Sequence, residues 1–145
     1  QLDRAFRTQM LAFFEQYRYV GHDIEIRRAD FVPLAIELKI YRLPATPRET
    51  LRQALNDAFS AGTRSDGEPG FFHPATLGFG QPVYQSRVVD AAMKVAGVTR
   101  VDVITFDRLG GAAALDQIQV GPLEIAELWN DRQQPQHGTI TFQIE

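Results

Sequence analysis

Leu34, Ile36, Leu38 and Ile40 alternate with Glu37 and Lys39 between them. A side-chain period of two puts four branched apolar residues on one face of a strand and charges on the other. Such a strand is stable only in a sheet with one face covered and the other wet, so this stretch commits the chain to a layered fold. Pro33 stands at its entry, where a missing N–H is tolerated because the ladder has not begun.

The covering layer must come from amphipathic helices. The strongest local signals lie at residues 46–62. Thr46 is a good N-cap, Pro47 suits the first helical position, and Glu49 completes a capping box. Leu51, Ala54, Leu55, Ala58 and Phe59 form one apolar face, and Gly62 closes the helix. Loss of the Thr46 cap is predicted to cost about 1 kcal/mol. A second helix fits Pro82–Ala96, with Tyr84, Val88, Ala91, Ala92 and Val95 on one face and Gly97 at its end. A third opens the chain: Leu2, Phe6, Met10, Phe13, Phe14 and Tyr17 share one face, and Gly21 offers a left-handed cap. Its aromatic stripe needs a partner, either the core or another domain.

Further strands are expected at His22–Arg28, from the alternation of Ile24 and Ile26 with charges, and at Val98–Phe106. In the latter, Val101 and Val103 face one way and Ile104 and Phe106 the other, which predicts a central strand apolar on both faces. Two last strands, Pro122–Trp129 and His137–Ile144, are expected to form a hairpin with a long polar loop. Thr63–Gly70 reads as a surface loop and Gly110–Gln119, rich in Ala and Gly, as a mobile excursion. The order predicts an α+β fold, with two helices packed on a mostly antiparallel sheet in a ferredoxin-like βαβ arrangement and an N-terminal amphipathic helix. Residues 1–20 would be a connecting helix and residues 21–145 a single domain. A chain of 145 residues buries roughly two-thirds of its unfolded surface in one core.

Composition narrows the function. The net charge is −3, and Arg27, Arg28, Arg48 and Arg52 sit among Asp23, Glu25, Asp30 and Glu49, so no basic stripe marks a nucleic-acid surface. With no cysteine, disulfides, thiolate catalysis and iron–sulfur clusters are excluded. No apolar run approaches the roughly 20 residues of a membrane span, and Asp3, Arg4 and Arg7 interrupt any secretory pattern at the start. The chain starts at Gln1 rather than Met, and reads as the tail end of a longer protein.

Signatures of catalysis are missing. His22, His73 and His137 lie far apart with no ligand-type spacing, and none of Ser60, Ser65 and Ser86 sits in a G-x-S-x-G elbow. Gly78-Phe79-Gly80 lacks the third glycine of a dinucleotide fingerprint, and Gly110-Gly111 lacks the Lys-Ser/Thr of a phosphate loop. Asp102 with Asp107, or Glu124 with Glu127, can be paired on paper, but solvated charge on a strand surface is the ordinary explanation. No cofactor or metal is expected.

The segment Gly70–Tyr84 stands apart, a non-repetitive connection carrying Phe71, Phe72, Phe79 and Tyr84 with two prolines and three glycines. Burying each phenylalanine would contribute roughly 1.5–3 kcal/mol. One reading is a packed connection closing the end of the sheet; the other is a docking surface, since aromatics are enriched at interface cores. Physical reasoning favours the first.

Phe71-Phe72-His73-Pro74, Phe79-Gly80-Gln81-Pro82-Val83-Tyr84, Ser86-Arg87 and Val98–Val103 together resemble the C-terminal region of the Baseplate J-like family. Tyr17-Arg18, Gly21–Ile26 and Val32-Pro33-Leu34 resemble the stretch before it, and Phe106–Gly110, Leu123–Ala126, Asn130-Asp131 and Gly138–Phe142 resemble the stretch after it. His22 departs from the pattern, which would have tyrosine or a similar residue there. The resemblance implies a structural, non-enzymatic wedge component of a phage-tail-like baseplate in a virion or contractile injection system, assembled in the bacterial cytoplasm. It implies other baseplate subunits as partners and a homo-oligomer, a dimer, in the full-length protein. The candidate subunit interface is Phe71, Phe72, His73, Phe79 and Tyr84 with Phe13 and Tyr17 of the first helix. The competing expectation is a small-ligand-binding or enzymatic α+β domain, which would bring His73, Gln81 and a carboxylate together in one pocket.

Overall fold

The computed structural model describes residues 3–114 and 116–145. Leu2, the first residue of the expected aromatic stripe, lies outside the described residues. The elements are α1 (Arg4–Glu15), β1 (Asp30–Arg42), α2 (Arg48–Ala58), β2 (Val83–Tyr84), α3 (Gln85–Met93), β3 (Val98–Arg108), β4 (Gln117–Ile118), β5 (Glu124–Glu127) and β6 (Thr139–Ile144). A single 3-10 turn spans Pro135–His137.

β1 is the spine of the fold. Val32, Leu34, Ile36, Leu38 and Ile40 are all buried on one face, and the residues between them remain half-exposed. The alternation in the sequence is the burial pattern of the strand. Leu51, Leu55 and Phe59 from α2 and its C-terminal cap, and Val88 and Ala92 from α3, join the same core. This is an α+β architecture, with two helices covering one face of a mixed sheet.

The longest ladder, β1 with β3, is antiparallel, from Leu34↔Arg108 to Arg42↔Val98. The opposite edge of β1 is shared. β5 pairs in parallel with Asp30–Pro33, and β6 continues in parallel along Ala35–Ile40. β2 and β4 form a separate small antiparallel pair. α2 and α3 follow one another between the antiparallel neighbours β1 and β3, so the ladders do not establish the ferredoxin-like βαβ alternation.

Several sequence expectations are corrected. β5 and β6 are not a hairpin: both run parallel to β1, and the chain leaves and re-enters the same edge. Only the neck of the excursion pairs with itself, through Trp129 N–H to His137 O (3.0 Å) and Asn130 N–H to Gly138 O (3.1 Å). Gly138 makes the re-entry possible. Its φ is +90°, and a Cβ there would lie 2.8 Å from Glu127 O and 2.9 Å from the backbone N and O of Leu34.

β3 is an edge strand, because β1 holds the centre. A register shift opposite Glu37/Leu38 leaves Ile104 out of the ladder, so Phe106 pairs with Ile36 while Val103 pairs with Leu38 and Val101 with Ile40. One inserted residue reverses side-chain parity. Phe106, Val103 and Val101 therefore all face the core, and Ile104 points outward, 49% exposed. Residues 22–29 form no strand.

The helix ends also differ. Residues 16–21 fall outside α1, which stops well before Gly21 and buries none of its residues. Without a packed face a short helix rests on local interactions alone. Asp3 caps its start, Oδ1 accepting from Ala5 N–H at 3.2 Å. α2 begins one residue later than expected, with Pro47 at the cap position and no side-chain cap bond. The Thr46 side chain packs instead against Gly97, close enough that a Cβ on Gly97 would lie 2.7 Å from it. α2 ends at Ala58, before Gly62, and Ala54 is exposed rather than on the buried face. α3 starts after Tyr84, which belongs to β2 and is 42% exposed.

Candidate functional site

The Gly70–Tyr84 connection divides in two. Its first half is core. Phe72 is 2% exposed, with its ring 4.9 Å from Phe71 and 6.0 Å from Phe59, and Phe59 reaches Phe142 at 5.8 Å. These four rings, from the end of α2, the connection and β6, plug the end of the helix–sheet interior. Offset and edge-on pairs of this kind add about 0.5–1.5 kcal/mol each beyond area burial. His73 closes a local turn, its Nδ1 accepting from Ala75 N–H at 3.0 Å. Thr76 Oγ1 donates to the carbonyl of His73 at 2.7 Å. The second half turns outward, leaving Phe79 61% exposed. Gln81 holds it, its amide oxygen accepting from Gly78 N–H at 2.9 Å.

Of the seven candidate interface residues, Phe72 is interior, Phe71 and His73 are half-buried, and Phe79, Tyr84, Phe13 and Tyr17 are exposed. At the end of α1, Phe13 and Tyr17 lie 5.4 Å apart and Phe13 and Phe14 5.5 Å apart. With Phe6 they make an aromatic stripe that the other described residues do not cover.

Between the C-terminal end of α2, the connection and α3 lies a cleft of about 250 Å³. Ala58, Phe71, Leu77, Val83 and Ala91 form its apolar floor. Arg64, Arg87 and Lys94 line it as well, and no carboxylate does. Gln81 is present, but His73 is not, so the trio expected of an enzymatic pocket does not assemble. Sequence reasoning missed this basic convergence because residues 64, 87 and 94 come from a loop and the two ends of a helix with no shared periodicity.

A second constellation was also illegible in the sequence. Glu127 is 9% exposed at the end of β5 and accepts a hydrogen bond from His137 Nδ1 at 2.9 Å when its carboxyl is ionised. The His137 ring stacks on Trp129, centroids 4.0 Å apart and planes 13° from parallel. This trio pins both ends of the 128–138 excursion and satisfies a carboxylate that burial would otherwise penalise. His137, which lacks ligand-type spacing in the sequence, lies in the 3-10 turn and acts as a structural tie.

Asp102, Asp107 and Glu124, the other carboxylates that could be paired on paper, each have their own partner. Asp102 pairs with Arg100, and Asp107 Oδ1 accepts from Ala114 N–H at 2.7 Å. Glu124 receives Arg108 at 2.8 Å and Gly121 N–H at 2.7 Å. The Arg108 hydrogen bond first, and the Gly121 N–H second, hold the Glu124 carboxyl below the usual carboxylate range. Arg108 also donates to Gln119 O, so one guanidinium ties the end of β3 to the return of the chain before β5. Among the described residues no group of three His, Asp or Glu side chains is placed to hold a metal ion. No helix among them is long and apolar enough to cross a membrane.

The fold and these surfaces define a class: an α+β domain with a filled core, an uncovered aromatic helix and one basic-lined cleft. No family model matches the chain, and no curated protein matches it.

Proposed function

We propose that this chain is a non-catalytic building block of a phage-tail-like baseplate, a wedge component that works by joining other subunits. The observation that carries the proposal is the aromatic stripe of α1. Phe6, Phe13, Phe14 and Tyr17 are 37–67% exposed, while the core behind the sheet is filled without them. Three aromatic rings on α1 and Tyr17 just beyond its end are expensive to leave in water and suit a contact made in an assembly. The ordered resemblance to the Baseplate J-like family names the kind of assembly, and the outward half of the connection, Phe79 and Tyr84, supplies further apolar surface for it.

The test is assembly in the producing cell. Phe13→Ser with Tyr17→Ser should leave the domain folded, since both rings are exposed, with a stability change within about 0.5 kcal/mol. The same variant should fail to sediment with tail-like particles, whereas the parent chain co-sediments and is found in their baseplates by mass spectrometry. Particles that assemble normally in cells lacking the chain would refute the proposal.

A further inference from the structure

The cleft beneath the Gly70–Tyr84 connection carries a chemistry that a packed connection does not need. Three cationic side chains converge on one apolar concavity in a chain of net charge −3. Two of them carry an ion pair at the rim, Arg64 with Asp66 at 2.6 Å and Lys94 with Asp90 at 2.7 Å. Arg87 has no ion-pair or hydrogen-bond partner among the described residues. Arg64 Nε is buried and, like Arg42 Nε outside the cleft, has no hydrogen-bond partner among the described residues.

We propose that this cleft is a binding site for a compact amphipathic anion, an apolar or aromatic body bearing one carboxylate. The apolar floor of Phe71, Leu77 and Ala91 would take the body. The carboxylate would lie among Arg64, Arg87 and Lys94, where charge-assisted hydrogen bonds are strongest against a low-dielectric wall. The cleft volume of about 250 Å³ is the space of about eight waters at ~30 Å³ each. That is room for one ring and its acid group. The site lies between α2 and α3, away from the α1 stripe, and stands whether or not the chain belongs to a baseplate.

The test uses the full chain with three probes: phenylacetate, its neutral amide, and inorganic phosphate. Calorimetry measures affinity, and amide chemical shifts locate the site. Phenylacetate should bind with shifts centred on Phe71, Leu77 and Arg87, and weaken as salt rises from about 50 to about 500 mM through screening of the charge attraction. The amide and phosphate should each bind about tenfold more weakly, the one lacking charge and the other lacking the apolar body. Arg87→Glu, an exposed substitution that leaves the core untouched, should raise the phenylacetate dissociation constant about tenfold. Ala91→Trp should abolish binding by filling the floor, and Lys94→Glu reports on the same site if that variant does not fold. Failure of phenylacetate to bind, equal binding of acid and amide, phosphate binding as tightly as phenylacetate, or shifts that map to α1 would each overturn the proposal.

Discussion

Replacing Gly138 by alanine should be among the most damaging small changes available to this protein. Gly138 sits where the chain returns to the edge of β1, after β5 has paired with Asp30–Pro33 and before β6 pairs with Ala35–Ile40. Its backbone, φ +90° and ψ 149°, lies in a region that residues with a Cβ scarcely occupy. Forcing alanine there costs about 1–3 kcal/mol in backbone strain alone. The added Cβ would also meet three backbone atoms within 2.9 Å, Glu127 O and Leu34 N and O. Backbone in a ladder cannot rotate aside as a side chain can, so overpacking adds about 1–3 kcal/mol more. The sum, about 4 kcal/mol, is a large fraction of the roughly 5–15 kcal/mol typical of a whole domain. It corresponds to a fall in Tm of about 13 °C for a chain of 145 residues. Urea unfolding, followed by far-UV circular dichroism and by the fluorescence of Trp129, the only tryptophan, measures the change directly. Gly67→Ala is the control: φ there is +87°, but nothing lies within 4 Å of the added Cβ, so only the dihedral strain applies. If the two variants lose the same stability, the close approach of Gly138 to Leu34 and Glu127 is not made in solution.

The same geometry fixes two further outcomes. Arg108→Met should bring the Glu124 carboxyl back toward the usual carboxylate range, leaving only the Gly121 N–H to depress it. Because the folded-state pKa of Glu124 lies below its unfolded value, the pair stabilises the protein above about pH 4.3 and the contribution disappears as pH falls through the folded value. The variant should therefore show a shallower loss of stability on acidification, read from melting temperatures between about pH 3 and 6 and from carbon-detected titration of Glu124; an unchanged titration would show that Arg108 does not engage it. Thr46→Ala should cost less than about 0.5 kcal/mol, rather than the roughly 1 kcal/mol of a lost cap, because the hydroxyl makes no capping bond; the full loss in urea titration would mean that it does cap α2 in solution.

The elements that sequence alone made legible are those whose pattern is local. The 34–40 alternation is the buried face of β1, residue for residue, because a strand's two faces need no knowledge of its neighbours. α2 and α3 were legible from period and turn chemistry, and so was the α+β class, which helices beside a one-faced strand require. The exposed aromatic stripe of α1 was visible as a stripe, though not as uncovered. Phe71 and Phe72 were visible as residues for a packed connection or a subunit interface, and only the structure shows Phe72 interior and Phe71 half-buried.

The features that the sequence could not determine depend on contacts between distant segments. Whether Ile104 or Phe106 faces the core turns on a bulge that exists only against Glu37 and Leu38. Whether 124–127 and 139–144 pair with each other or share the edge of β1 turns on Gly138 fitting against Leu34. The expected cap of α2 is not made, and the Thr46 side chain lies against the distant Gly97. The cleft exists because a loop cation and two helix cations meet over Phe71, and the Glu127–His137–Trp129 tie because the excursion between β5 and β6 closes on itself. A local pattern selects the elements, since periodicity and propensity act within a few residues. Their pairing, bulges and side-chain convergence are settled by packing, which exists only once the core has assembled.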